Sequence, residues 1–389
     1  MSLLSRRRLD AKVDPADVRT ALARVEDPEL HLPLAEAGML GEVDIDRSGA
    51  VRVTVRLTTP SCPLKETVAA DVTAAVRAIA GVSGVEVAFA AMGEGERMRL
   101  AARLRGSGPL GAHSFGPGSA TQVYAVASGK GGVGKSTITA NLAVALVRQG
   151  KRVGILDADV WGYSIPHLFG VRRAPVALKG LMLPVEAFGV ALMSVGFFVR
   201  DDEPVVWRGP MLHKAIEQFL DDVYWGELDV LLIDLPPGTG DVTLSLLELV
   251  PDAALIVVTT PQPAAQTVAQ RVGRMARDSR MPVAGVVENM SAMICSSCCE
   301  STPLFGTGGG QRLAEAIAAP LLGQVPLDIE LREAGDAGVP ALIAAPRAAS
   351  AAQIRQIAAS LPILRGSLVG RSLPLTVRPH HAHGMSVDD

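Results

Sequence analysis

Three things are scarce in this chain of 389 residues: long apolar runs, an excess of either charge, and cysteine. No stretch reaches the roughly 18 uninterrupted apolar residues that a membrane-crossing helix needs, so a membrane is not an expected partner. Lys and Arg together number 37 against 40 Asp and Glu, a formal charge of −3. No global basic field is therefore available to recruit nucleic acid. The four cysteines, three of them crowded at Cys295, Cys298 and Cys299, do not make a disulfide framework. They suit a reducing cytosol, where close thiols bind metal or exchange electrons. Near the start, Arg6 to Arg8 follow a short apolar pair with no apolar segment behind them, the wrong order for a secretory signal. Asp10 and Asp14 fit a transit peptide poorly. A cytoplasmic protein is expected.

What is present is a phosphate-binding loop. Gly129-Lys130-Gly131-Gly132-Val133-Gly134-Lys135-Ser136-Thr137 satisfies Gly-x4-Gly-Lys-Ser/Thr and carries an extra lysine at its second position. Upstream, Val123 to Ala127 is a short apolar run suited to a buried parallel strand. Downstream, Ile138, Leu142, Ala145 and Leu146 recur at helical spacing up to Gln149, with Gly150 placed as a C-cap. Glycines let successive N–H groups converge on an anion, and the helix N-terminus adds partial positive charge. Lys135 is expected to reach the β- and γ-phosphates, and the Ser136 hydroxyl to ligate magnesium. The chemistry expected is nucleoside triphosphate binding with hydrolysis.

The chain divides by pattern. Residues 1–98 read as a small α+β domain with a helix over Val18–Val25, an alternating strand over Val51–Leu57, a helix over Pro63–Ile79 and a strand over Val85–Phe89. Residues 99–120 are rich in Gly, Ser and Pro and read as a linker that permits many arrangements of the first domain. Residues 121–361 alternate strands and helices, the pattern of a doubly wound, mainly parallel α/β sheet. Its buried strands are expected at Val123–Ala127, Arg152–Leu156, Val230–Ile233, Ala254–Thr259, Val283–Val287 and Leu321–Val325. Residues 362–389 read as a disordered tail.

Open α/β sheets present ligands at the carboxyl ends of their strands. Asp157 and Asp159 close the second of these strands, and Asp234 closes the third ahead of Leu-Pro-Pro-Gly. Asp234, Asp157 and Ser136 are candidates for magnesium, directly or through water. Gly238 is placed to approach the γ-phosphate by its backbone. Asp159 is the candidate for orienting the attacking water, so Lys130, Lys135, Asp159 and Asp234 form the expected catalytic set.

These motifs resemble the Mrp/Nbp (ApbC-type) iron–sulfur cluster carrier ATPases, within the deviant-loop class that also holds MinD and ParA. Asp157-Ala-Asp-Val-Trp-Gly-Tyr-Ser-Ile-Pro, Trp207-Arg-Gly-Pro-Met, Ile233-Asp-Leu-Pro-Pro-Gly-Thr-Gly-Asp, Val287-Glu-Asn-Met-Ser and Arg332-Glu-Ala-Gly-Asp-Ala-Gly-Val-Pro follow the loop in family order. Tyr163 departs from a common proline. The resemblance implies a P-loop NTPase fold and ATP with magnesium as ligands. It also implies a face-to-face homodimer in which Lys130 reaches the partner's nucleotide, and an Asn289 that reads the adenine. The first domain resembles a unit of SUF-linked and cytosolic iron–sulfur assembly factors through Asp27-Pro-Glu-Leu and Leu57-Thr-Thr-Pro-Ser-Cys-Pro-Leu-Lys. Implied partners are apo iron–sulfur proteins and other cluster-assembly factors.

Cys295 and Cys298 form a C-x-x-C that supplies two thiolates from one loop, whereas a four-iron cluster takes about four. Taken alone, the pair fits a redox dithiol or half of a structural zinc site as well. The resemblance implies a 4Fe-4S cluster shared by two subunits, and two chains meeting about a two-fold axis would complete the count. Cys299 stands where the family has glycine and is expected to be a bystander. Cys62, ahead of a helix whose N-terminus would lower its pKa, reads equally as a reactive or an inert thiol. His380, His381 and His383 fall in the tail. Two other functions fit the loop: a MinD- or ParA-like positioning ATPase, and a nickel or cobalt chaperone. The basic stretch from Arg365 to Arg378 is broken by Pro374 and followed by Pro379, which disfavours the amphipathic helix the first requires. No histidine-rich insert near the loop supports the second.

Overall fold

A computed structural model describes residues 13–364 except 60, 61, 63, 107–114, 117, 200–208, 239, 296, 297 and 299. The first unit opens with α1 (Pro15–Leu22), capped by the Asp14 side chain, and two short strands, β1 (Glu26–Asp27) and β2 (Leu32–Pro33). Strands β3 (Leu40–Ile45), β4 (Ala50–Leu57) and β5 (Gly84–Ala91) then form a sheet in which β4 runs antiparallel to β3 and parallel to β5. Between β4 and β5, α2 (Lys65–Arg77) buries Val68, Val72 and Val76, one apolar residue every fourth position. They share a core with Val51, Val53 and Val55, the inward residues of an alternating strand.

Helix α3 (Glu94–Leu104) follows. Residues 99–104 had been expected as linker, but they belong to this helix, because Glu94 and Glu96 stabilise its first turn and Leu100 and Ala101 bury one face.

The large sheet begins with β6 (Gln122–Ser128), the phosphate loop and α4 (Lys135–Arg148), then β7 (Val153–Asp157). After α5 (Ile165–Leu168) come the short strands β8 (Val176–Leu178), β9 (Leu181–Leu183), β10 (Val185–Ala187) and β11 (Val190–Ser194). The remainder is α6 (Gly209–Asp221), β12 (Val230–Asp234), α7 (Asp241–Leu249), β13 (Ala254–Thr259), α8 (Pro263–Asp278), β14 (Val283–Ile294), β15 (Ser301–Thr302), α9 (Gly309–Ala316), β16 (Leu321–Leu327), α10 (Ile329–Asp336), α11 (Ala341–Ala344) and α12 (Ala349–Ser360). The order is β10-β11-β7-β12-β6-β13-β14, with β15 and β16 both paired to β14. From β11 to β14 every neighbouring pair is parallel.

Helices on both faces explain why the central strands are apolar throughout. Val123, Ala125 and Ala127 face one core with α8, whereas Tyr124 and Val126 face the other with α4 and α12. Truncating such fully buried residues as Leu142 or Ile155 to alanine costs about 2–5 kcal/mol. The chain turns from β6 into α4 where the strand order reverses direction, between β12 and β13, which is where an open sheet leaves a crevice.

The two units touch. Leu178 and Leu183 of the β8–β9 hairpin are buried in the same cluster as the first unit's core. The hairpin turns at Lys179 and Gly180, both at positive φ. Around it, Arg173 pairs with Glu29 at 2.5 Å, His31 with Glu186 at 2.8 Å, and Lys179 with Glu94. Glu186 also pushes the His31 pKa upward by accepting its hydrogen bond.

Candidate functional site

The phosphate loop works through its backbone, and glycines make that possible. Gly132 and Gly134 sit at φ +76° and +79°, conformations that side chains resist. A Cβ on Gly129 would lie 2.3 Å from the Ala269 nitrogen, and one on Gly134 would lie 2.2 Å from Asn289 Nδ2. The loop therefore curls at the amino end of α4 and leaves a cavity of about 460 Å³. The residues from Lys130 to Thr137 line it, with Asp159, Trp161, Pro236 and Pro237 opposite. Its floor is rich in backbone donors and helix-end charge, which suits an anion.

Buried charge is concentrated beneath. Lys135 Nζ lies 2.7 Å from Asp234 and 3.6 Å from Asp159. Ser136 Oγ donates to Asp234 Oδ2 at 2.5 Å, and Thr139 Oγ1 donates to Oδ1 at 2.8 Å. Adjacent parallel strands β7 and β12 place Asp157 beside Asp234 in register. Burial, and then the neighbouring Asp234 charge, pushes the Asp157 pKa up to about 7. Its oxygens accept from Ser194 Oγ and from the backbone amides of Asp159 and Ile165. Asp157 therefore stands behind the cavity wall, while Asp159 stands on it with its pKa raised, chiefly by burial. Hard oxygen donors from Ser136 and Asp234 meet at one point, a set that fits magnesium.

Other expected residues are brought close in different ways. Lys130 Nζ donates to Gln262 Oε1 at 3.0 Å, so within one chain it reaches across to the start of α8. Asn289 is buried and donates from Nδ2 to the Val133 carbonyl at 2.9 Å, bracing the loop from behind. The Gly238 amide, expected at the γ-phosphate, instead donates to the Ser128 carbonyl, because the segment after β12 runs on parallel beside the end of β6, where the Leu235 amide likewise donates to the Val126 carbonyl.

Cys295 and Cys298 lie at the far end of β14, well past the Val287 at which that strand was expected to stop. Strand β14 continues to Ile294 and pairs antiparallel with β15, and the Cys295 amide donates to the Glu300 carbonyl. Cys298 is exposed and Cys295 half-buried. Met293, Ile294 and Leu304 are exposed on the same hairpin. Among the described residues no group of three or more His, Cys, Asp or Glu is placed to hold a metal. Cys299, Trp207, Arg208 and the tail histidines lie outside the described residues.

At Cys62 the structure reverses an expectation. Burial pushes this thiol's pKa up, aided by the charges of Glu29 and Asp27, and outweighs the backbone hydrogen bond at the helix start. Sequence reasoning did not single out Ser194, Thr139, Gln262 and Trp161. Only Trp161, 67% exposed at the cavity mouth, had a local signal, since it stands two residues after Asp159. No described helix is long and apolar enough to cross a membrane.

Comparison with known proteins fits this geometry. A family model described as the NUBPL iron-transfer P-loop NTPase matches residues 119–362, and one described as an iron–sulfur cluster assembly protein matches residues 15–89. The iron–sulfur cluster carrier protein of Mycobacterium leprae is 45% identical over 382 residues, covering 96% of this chain and 99% of that protein. The protein of the same name from Deinococcus radiodurans is 44% identical, covering 88% and 93%. A solved nucleotide-binding protein in complex with ADP from Archaeoglobus fulgidus is 41% identical with a TM-score of 0.50. The match covers 56% of this chain and 86% of that one.

Proposed function

This chain belongs to the iron–sulfur cluster carrier P-loop NTPases, and on that premise we propose that it binds and hydrolyses ATP to govern a 4Fe-4S cluster held between two copies of itself. The observation that carries the proposal is the joining of two half-built sites by one sheet. A phosphate loop with an extra lysine lies on β6, and an exposed C-x-x-C hairpin extends β14, two strands away. Two thiolates per chain become four across a two-fold axis, the number such a cluster takes. Exposed Met293, Ile294 and Leu304 around the pair suit a surface that a second copy covers.

At the nucleotide, the loop amides and the amino end of α4 hold the phosphates. Lys135, which pairs with Asp234 at 2.7 Å, moves its charge onto the β- and γ-phosphates. That exchange frees Asp234 and Ser136 to hold magnesium, which when bound neutralises phosphate charge. Asp159, on the cavity wall, orients the attacking water. Lys130 leaves Gln262 to reach the partner's nucleotide, so hydrolysis requires the dimer. Asn289 contacts the adenine while it steadies Val133. The cluster is cargo, passed to apo-proteins when the nucleotide state alters the interface, and its exposed ligands favour such transfer.

Anaerobic reconstitution with iron and sulfide tests the proposal. Cys295→Ala and Cys298→Ala should each abolish cluster absorbance and leave ATP binding intact. Absorbance surviving both substitutions rules out this cargo site.

A further inference from the structure

The two half-sites are joined by β14, and that strand is not uniform. Up to Glu288 it is fixed on both sides. It pairs with β13 as far as Thr259 with Glu288, and with β16 through Asn289 with Val325. Glu288 is buried, and its carboxylate accepts from the Gly310 amide at the start of α9 and from Gln324 Nε2. Beyond Asn289 the ladder breaks. Pairing with β16 resumes only at Met293 with Leu327, which leaves residues 290–292 without ladder partners in the register. Met290 lies at φ +56°, in the left-handed region that an unbranched side chain enters at a cost. The irregularity falls one residue after the side chain that holds the phosphate loop, since Asn289 Nδ2 donates to Val133 O. It also falls five residues before Cys295. The Met290 side chain itself lies beside the loop, its methyl 3.9 Å from where a Cβ on Gly134 would sit.

We propose that Met290 is a positioning residue. Its left-handed bulge is the joint through which the phosphate loop sets the orientation of the cysteine hairpin. Filling the cavity with phosphates draws the loop amides inward and re-aims the Val133 carbonyl that Asn289 follows. With Glu288 anchored, the sheet absorbs none of that movement. The unpaired residues 290–292 are the compliant part of the strand, and the hairpin beyond them, held to β16 in the register only by the Met293–Leu327 pair, carries both thiols as it pivots. A bulge is where a strand can bend and re-aim a side chain without breaking the sheet. The inference rests on the reading of Cys295 and Cys298 as the cargo ligands, but its test does not need cargo.

The experiment measures alkylation of Cys298 by iodoacetamide in the full-length apo-protein, by peptide mass spectrometry, with and without magnesium and a non-hydrolysable ATP analogue. In the wild type the rate should change by about fivefold or more, the lower range of ordinary site-to-site couplings. Met290→Asn tolerates the left-handed conformation and should retain that response. Met290→Ile resists it and should bind the analogue with similar affinity, yet lose most of the response. Should Met290→Ile fail to fold, Met290→Ala, with a smaller preference against this conformation, should show a partial loss. A full response in Met290→Ile or Met290→Ala with analogue bound overturns the proposal, as does an unresponsive wild type. Failure of iron loading alongside an intact thiol response defeats the carrier function instead and leaves the joint standing.

Discussion

The phosphate loop and the cysteine hairpin occupy neighbouring parts of one sheet, and their construction is opposite. The loop is closed over by its own chain. Lys135, Asp157 and Asp234 are buried, their hydrogen bonds are made within one molecule, and glycines fit where a Cβ would collide with Ala269 or Asn289. The hairpin carries an exposed Cys298, a half-buried Cys295 and exposed apolar side chains. A phosphate site must be organised before its ligand arrives, because catalysis of phosphoryl transfer is mostly positioning and electrostatics. Under the proposed function, a transferable cargo needs ligands that can let go, and an interface shared by two copies would supply them only while the two chains meet.

That contrast makes substitutions in the two regions separable. The largest expected effect is at Lys135→Ala, which should lower ATP hydrolysis by at least about 100-fold. Iron loading, measured by absorbance on the same sample, should persist. Gly134→Ala adds a Cβ at positive φ against Asn289, and calorimetry should show nucleotide affinity weakened about tenfold. The contrast would break if Gly134→Ala left affinity unchanged.

A smaller effect concerns pH. Because the Asp157 pKa is raised in the folded protein, its stabilising contribution is present below about pH 4 and is lost as pH rises through about 7. In denaturant titrations of the nucleotide-free protein, Asp157→Asn should flatten the decline in stability between those values. A slope identical to the wild type would remove Asp157 from the buried charge network. Smallest of all, Cys298→Ser should change folding stability by no more than about 0.5 kcal/mol, as is usual at an exposed position. A larger loss in thermal unfolding would show that the hairpin is organised like the loop.

The same contrast decides what could be read from the residues. Central strands announced themselves because burial on both faces makes them continuously apolar, and the loop because every position answers to one anion. Strand β14 was read only as far as Val287, since Glu288 and Asn289 are polar. Their partners, Gly310, Gln324 and Val133, come from distant parts of the chain. Ser194 was missed for the same reason, lying 37 residues from the Asp157 it serves. The β8–β9 hairpin turns at Lys-Gly, a weaker signal than Asn-Gly. The helical start of the expected linker was obscured by the Gly, Ser and Pro that follow it. Cys62 was left open between a reactive and an inert thiol because the helix start that would lower its pKa is local, whereas Glu29 and the burying surface that raise it are not.

Native mass spectrometry under anaerobic conditions, after reconstitution with iron and sulfide, addresses the central claim most directly. One four-iron cluster per dimer is predicted, with none on the monomer and none on either species of Cys298→Ala. A cluster retained by the monomer, or by the dimer lacking that thiol, would contradict the account.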